Sequence, residues 1–388
     1  MKDKTIHIIG AGPAGLAAAI NLAKAGYEAI VHEKHDDVGN RFDGDFQGIE
    51  NWSSKEDALS FLKKIGIQIN FICAPYRTGH FYGPNLKQVE IKASRPLFYL
   101  IERGVGTGSF DQGLKQQALA AGVQFIWNDN VQKLPSEKTI VGTGPKAADV
   151  IAKGILFKTS HPNAYYGFLD DRIAPKGYAY LLINEGKATF ATCMFENFRD
   201  SDHYFEGALK MMQKTVNIDI QEPVPFGGFG NFFLPASKHK NDKALYVGES
   251  AGFQDALWGF GIRYALLSGY LAARSILNGE DYEKLTRRYI LPSQKASLAN
   301  RLVFDRFGNW GHQRMLNHMS RSDDALGILQ GYYQLSLSRR LLFRIAKRWY
   351  HTRLIDKQCM HKNCNCIWCR CGKEDDTRKA ELEKMMIA

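Results

Sequence analysis

Thr5-Ile-His-Ile-Ile-Gly10-Ala-Gly12-Pro-Ala-Gly15, followed by LAAAINLAKAG up to Gly26, is the stretch that decides the fold class. An apolar run, a glycine-rich turn and a small-residue helix in immediate succession predict strand, tight turn and helix, the opening half of a doubly wound α/β unit. A second apolar run, Glu28 to His32, ends in Glu33, with Lys34 next. Each part has a physical task. Gly10 permits the turn, Gly12 lets a pyrophosphate approach the backbone, Ala14 and Gly15 keep the helix close to the strand, and the helix N-terminus attracts the anion. Glu33 stands where a carboxylate accepts hydrogen bonds from the adenosine ribose. Together these features predict dinucleotide binding, although FAD and NAD share the fingerprint.

Working outward, Val38-Gly39-Asn40-Arg41-Phe42 lies just beyond Glu33, with Arg41 placed to meet phosphates or solvent. Far along the chain, KALYVGE (243–249) reads as a strand, and Gly248-Glu249-Ser-Ala-Gly252 leads through Trp258-Gly259-Phe-Gly261 into a helix that starts at Ile262 and ends near Asn278-Gly279. An acid at a strand end, then small residues, then a helix N-terminus suits a flavin. Glu249 is placed for the ribityl hydroxyls, and the backbone amides around Gly259, Gly261 and Ile262 for the pyrimidine edge, where reduced flavin gathers negative charge.

The run GESAGFQDALWGFGIRYALLSGYLAA resembles the G-D-A-A-G…G-x-G-I-x-x-A…S-G-x-x-A-A signature of the geranylgeranyl reductases, within the para-hydroxybenzoate hydroxylase-like flavoproteins, while the Gly39/Arg41 segment resembles the glutathione-reductase type of FAD fold. Three further stretches agree: Arg103 with Phe110-Asp111 to Ala118, Ile140 to Gly144-Pro145, and Pro175-Lys-Gly177-Tyr178-Ala179-Tyr180. The resemblance spans about residues 5 to 290. It implies that Arg103 lies near FAD, that Gly144 follows the strand closing the FAD domain, and that the 175–180 element lies over the isoalloxazine ring. It further implies an FAD-dependent oxidoreductase that reduces carbon–carbon double bonds of an apolar prenyl or lipid-like substrate, with NAD(P)H or an electron-donor protein supplying electrons. There are departures. Glu249 replaces the usual Asp, Gly44-Asp45-Phe46 stands where the family has a cysteine segment, and the A-D-G-x-x-S element of flavin hydroxylases is missing, since Val150 follows Asp149. The rival readings are a flavin monooxygenase or halogenase and a flavin-bearing electron-transfer or redox-sensing protein.

The expected architecture is α/β: a Rossmann-type FAD-binding domain (1–75, 98–160 and 236–295) interleaved with a mixed β-sheet substrate domain (76–97 and 161–235), then C-terminal helices (296–357) and a Cys-rich segment (358–373). Aromatic residues alternating through Tyr178, Tyr180, Phe190, Phe195 and Phe198 predict a sheet face that either lines an apolar tunnel or forms plain core. No Ser/His/Asp set or H-E-x-x-H zinc site is recognisable, and His80 is the one lone histidine placed to give a proton.

The 388 residues are 45% hydrophobic and 23% charged, enough to bury a large core and unlike a disulfide-stapled secreted module. No apolar run reaches the roughly 18–20 residues that a membrane-spanning helix needs, and only four residues precede the first strand, so the expected place is the cytoplasm, with peripheral contact to the inner membrane face. Of the +11 net charge, Ser338 to Lys373 carries ten Lys/Arg against one Asp, so the basic character is local and does not make a nucleic-acid-binding face. Within it, 339–350 reads as a basic amphipathic helix, with Arg340, Arg344, Lys347 and Arg348 on one side and Leu341, Leu342, Ile345 and Trp349 on the other; it either lies on an anionic bilayer or packs on the FAD domain. The tail Cys359, His361, Cys364, Cys366, Cys369 and Cys371 has the spacing of metal ligands; zinc, an iron–sulfur cluster and free or disulfide-linked thiols all remain open.

Overall fold

A computed structural model describes residues 4–135, 139–145, 148–232 and 244–352. The Cys-rich segment lies outside the described residues, as does Lys243 of the 243–249 run. The parallel sheet has the order β15 (Leu245–Tyr246), β9 (Thr139–Val141), β1 (Thr5–Ile9), β2 (Glu28–His32), β8 (Gln124–Ile126). Its central strands are apolar because helices cover it: α1 (Pro13–Lys24), α3 (Phe110–Ala120) and α5 (Ile262–Asn278) pack there, with Ile6, Ile8, Leu16, Ile20, Leu114 and Leu266 in one core. Small residues set how close the helices come. A Cβ on Gly269 of α5 would collide with the Ala14 carbonyl of α1, so the two helices cross backbone to backbone.

A three-stranded antiparallel sheet, β3 (Phe46–Glu50), β7 (Phe98–Glu102), β4 (Ala74–Tyr76), joins this domain to a seven-stranded sheet. The larger sheet runs β14 (Gln221–Gly230), β10 (Val150–Lys158), β13 (Lys187–Met194), β12 (Tyr178–Asn184), β11 (Ala164–Phe168), β5 (Thr78–Tyr82), β6 (Gln88–Lys92). Residues 150–158, expected within the FAD domain, are here the second strand of this sheet. Pairing with β13 on one edge and β14 on the other satisfies the backbone of β10 on both sides.

Helix α4 (Ser201–Thr215) covers one face of the large sheet, burying Leu181, Ile183, Phe190 and Phe168 against Ala208 and Met212. The opposite face carries Tyr178, Tyr180 and Leu182 and turns toward Phe98, Leu100, Trp258 and Phe260. The five aromatic residues expected on one face therefore separate. Register pairs Leu181 with Phe190, which puts Phe190 on the α4 side, while Phe195 and Phe198 lie past the end of β13 in other clusters.

The remaining helices are α2 (Ala58–Lys64), α6 (Tyr282–Tyr289), α7 (Leu291–Met319), α8 (Ala325–Tyr332) and α9 (Leu337–Thr352). Helix α7 breaks at Gly308, whose φ of 48° leaves the helical region; the adjacent Asn309 side chain then meets the Asp171 amide (2.8 Å) and the Asp170 carboxylate (3.0 Å). In α9 the side turned to the protein holds Ala346 and Tyr350, so Leu341 and Ile345, on the side that periodicity marks as apolar, face outward. Among the described residues no helix is long and apolar enough to cross a membrane.

Candidate cofactor and substrate site

The glycine turn is built as its sequence requires. Gly10 has φ 97°, and a Cβ there would stand 2.5 Å from the Gly142 carbonyl oxygen of the neighbouring strand end. On Gly15 a Cβ would overlap the Gly10 carbonyl, so this glycine lets α1 start directly against the turn. Gly12 differs: its φ is an ordinary −78°, and a Cβ there meets no atom within 4 Å. No side chain caps α1, Pro13 occupies its first turn, and no acid lies there, so the helix-terminal amides look onto open space. That is the arrangement a diphosphate needs. The residues present therefore fit the pyrophosphate of a dinucleotide.

Glu33 sits under the turn. Its Oε2 accepts from the Ala11 amide at 2.8 Å and its Oε1 from the His35 amide at 3.1 Å, which fixes the carboxylate at the end of β2 with lone pairs left for a ribose. Lys34 is exposed beside it. Arg41 reaches away from the turn: its Nη1 donates to Glu249 at 3.0 Å and its Nη2 to the Phe229 carbonyl, and Gly144, at φ 77°, lies against it. The structure thus brings Arg41, Gly144 and Glu249 together. Glu249 also accepts from Gln254 Nε2 at 3.1 Å.

Gly248 donates to Ser268 Oγ of α5 at 2.8 Å and packs on Ala14, so the second cofactor segment touches the first helix. Gly259, with φ 78°, again faces open space, whereas Gly261 caps α5 beside Gln254 and Ile262 is buried. The second cofactor segment is thus held against the start of α1. Arg103 is buried in a two-pronged pair with Asp111 (2.8 and 2.9 Å), donates to Gln47 Oε1 at 2.9 Å, and stands 3.8 Å over the Phe42 ring. It braces the Phe42 loop from behind through that stack.

Four further residues shape the site, and three of them (Asp255, Arg301 and Glu50) carry no local signature of that role. Asp255, buried, accepts from the Leu257 and Trp258 amides at 3.0 Å each and from the Tyr333 hydroxyl at 2.9 Å, and so folds the loop ahead of Gly259; burial pushes its carboxyl above the usual range. Arg301, fully buried on α7, donates to the Leu257 carbonyl at 3.0 Å and to the Lys176 carbonyl, with Asp305 as counter-ion at 2.8 Å. The Tyr178 hydroxyl donates to the Trp258 carbonyl. Glu50, at the end of β3 and close to Arg263, has its carboxyl pushed up to about 7 by burial. Among these, only Tyr178 was visible beforehand, through the 175–180 element.

Opposite the flavin loop, the sheet presents Tyr178 and Tyr180, with Cys193 and Ala191 directly across from them on β13 and Ala152 and Gly154 beyond on β10. Trp258 and Phe260 pack with the two tyrosines, while the Phe226 ring lies over Gly154 and Ala191 is buried. Burial holds both tyrosines well above their ordinary value and pushes the Cys193 thiol up to about 12. His80 is not on this face: its register with Tyr166 sets it on the α4 side, where it meets Gln88 at 3.1 Å. Among the described residues, no cluster of side chains could hold a metal ion.

Residues 8–48 match the NAD(P)-binding Rossmann-like domain family. A digeranylgeranylglycerophospholipid reductase of Methanosarcina acetivorans is 26% identical across 74% of this chain and 80% of its own length. One of Methanococcus vannielii is 22% identical across 73% and 80%. Among solved structures, a geranylgeranyl bacteriochlorophyll reductase-like protein of Thermoplasma acidophilum superposes with a TM-score of 0.65 at 17% identity, covering 89% of this chain and 97% of that one. Over most of its length the chain is similar to these geranylgeranyl reductase-like proteins. A flavin-dependent brominase shares the fold at a TM-score of 0.59 and 14% identity, covering 90% of this chain and 99% of its own. The α/β architecture is thus shared with proteins of more than one flavin chemistry.

Proposed function

We propose that this protein saturates carbon–carbon double bonds of an apolar, prenyl or lipid-like substrate. The observation that carries the reading is the sheet face beside the Gly259 loop, where Tyr178, Tyr180 and Leu182 gather with Phe98, Trp258 and Phe260 in one aromatic, apolar cluster that suits a hydrocarbon chain. The names of the curated relatives support the same substrate class. When held by the cofactor-site residues, FAD would supply the hydride chemistry, with electrons from NAD(P)H or an electron-donor protein. The chain's own residues do the rest. Glu33 and the α1 amides bind the adenosine end, and Arg41 and Glu249 meet beside Gly144. Tyr178 and Tyr180 line the substrate side, and an acid of the enzyme or a water gives the second alkene carbon its proton.

The test is an anaerobic single turnover. Photoreduced protein mixed with a geranylgeranyl-bearing lipid should regain its oxidised-flavin absorbance while the lipid gains two hydrogen atoms per bond saturated. A flavin that reoxidises only when oxygen enters, with a hydroxylated or halogenated aromatic as product, would replace this reading with the monooxygenase or halogenase one.

A further inference from the structure

Leu337, Leu341, Ile345 and Trp349 recur at four-residue steps along α9 and are 81%, 62%, 59% and 43% exposed. At about 100° per residue they form one continuous ridge. Arg340, Arg344, Lys347 and Arg348 are also exposed and flank that ridge, while Ala346 and Tyr350 on the far side are buried against Phe195, Phe232, Leu298 and Leu302. The apolar surface continues onto α7. Phe307 and Trp310 are exposed there with ring centroids 5.6 Å apart, the Arg306 guanidinium lies 4.7 Å from the Trp349 ring, and Arg314 lies 5.6 Å from the Trp310 ring.

A single exposed leucine is ordinary on a protein surface. A ridge of four apolar residues that runs into an aromatic pair, with cations threaded through it, is not. Helix α9 holds no acidic residue, so a second copy facing it would set cation against cation. The charge instead complements an anionic sheet, and aromatic rings beside arginines match the boundary between headgroups and acyl chains.

We propose that α9 and the adjoining part of α7 form a docking surface for an anionic lipid bilayer, with the Leu337–Trp349 ridge at the acyl boundary and the flanking cations on the lipid phosphates. The inference needs nothing from the reading of the reaction. It is tested by co-sedimentation of the full chain with vesicles of phosphatidylcholine alone or mixed with phosphatidylglycerol. Binding to the mixed vesicles at low salt, loss at high salt and little binding to phosphatidylcholine are expected. Neutralising one flanking cation (Arg340→Gln, Arg344→Gln or Lys347→Gln) should weaken partitioning roughly five-fold, and the triple variant on the order of a hundred-fold. Leu341→Ser with Ile345→Ser should weaken it as well, with thermal melts unchanged because both sites are exposed. Equal binding to both vesicle types overturns the proposal, as does a triple variant that binds like wild type. So does a wild-type chain that ignores vesicles but self-associates in sedimentation until Leu341 and Ile345 are replaced.

Discussion

Three glycines of one turn should fail in two different ways when given a side chain. At Gly12 the backbone is in a region open to every residue and a Cβ meets nothing, so Gly12→Val should leave the fold intact and fill the space in front of the α1 amides. Backbone-to-phosphate hydrogen bonds contribute about 1.5–3 kcal/mol each. Displacing two weakens FAD binding by about 3–6 kcal/mol, roughly 10² to 10⁴ in Kd. Gly15→Ala instead forces a methyl onto the Gly10 carbonyl, and Gly10→Ala combines a 2.5 Å approach to Gly142 with a left-handed φ. Overpacking of this kind costs about 1–3 kcal/mol, and the left-handed residue about 1–2 kcal/mol more. Urea unfolding of the cofactor-stripped proteins, beside titration with FAD, separates the two outcomes. If Gly12→Val unfolds as readily as Gly15→Ala, the open space is not real; if it folds and binds FAD like wild type, the pyrophosphate does not sit at this turn.

Glu50 has a folded-state pKa raised from 4.5 to about 7, so the native state holds its proton more tightly than the unfolded chain, and stability falls as pH rises through that window. Glu50→Gln should therefore gain up to about 3 kcal/mol over wild type at pH 8 and lose that advantage by about pH 4.5, read from urea midpoints. His312 behaves in the opposite sense: burial lowers it from 6.5 to about 4, its ring nitrogens have no partner among the described residues, and it stacks on Phe304 at 4.1 Å. Stability dependent on its neutral form is present above pH 6.5 and lost as pH falls toward 4, so His312→Leu should flatten the acid limb of a pH–stability curve; an unchanged limb refutes the assignment. Arg301→Met should cost about 3–5 kcal/mol by leaving Asp305 buried without its partner, and should lower FAD affinity as well if the Leu257 carbonyl contact holds the flavin loop.

What could be read beforehand follows from how far apart the interacting residues lie. The turn at Gly10–Gly15, the end of β2 at Glu33, and helix α5 with its Gly279 terminus, φ 68°, are local, and each is written in a short run of residues. The faces of the large sheet are not local. Period two says that Tyr180 and Leu181 point opposite ways, but only the pairing of Leu181 with Phe190 shows which side α4 covers. The strand at 150–158 reads as part of the FAD domain for the same reason, because its partners, 187–194 and 221–230, are distant in sequence. Asp255 and Arg301 act on backbone groups, which leave no residue-type signal at the other end. In α9 the periodicity defined two faces, and tertiary packing alone chose which one is covered.

These distinctions bear on why so many flavin chemistries share this architecture. The contacts that tie the substrate sheet to the cofactor side end largely on main-chain atoms: Tyr178 on the Trp258 carbonyl, Arg301 on the Leu257 and Lys176 carbonyls, Thr189 Oγ1 accepting from the Phe46 amide at 2.9 Å. They fix the distance between sheet and flavin loop while leaving the side chains between them free to vary. A likeness in fold to brominases and to reductase-like proteins alike is then expected and does not choose the reaction. The choice lies with the residues that the ties leave free, among them the Tyr180 and Leu182 side chains on the sheet face that turns toward Phe98, Trp258 and Phe260.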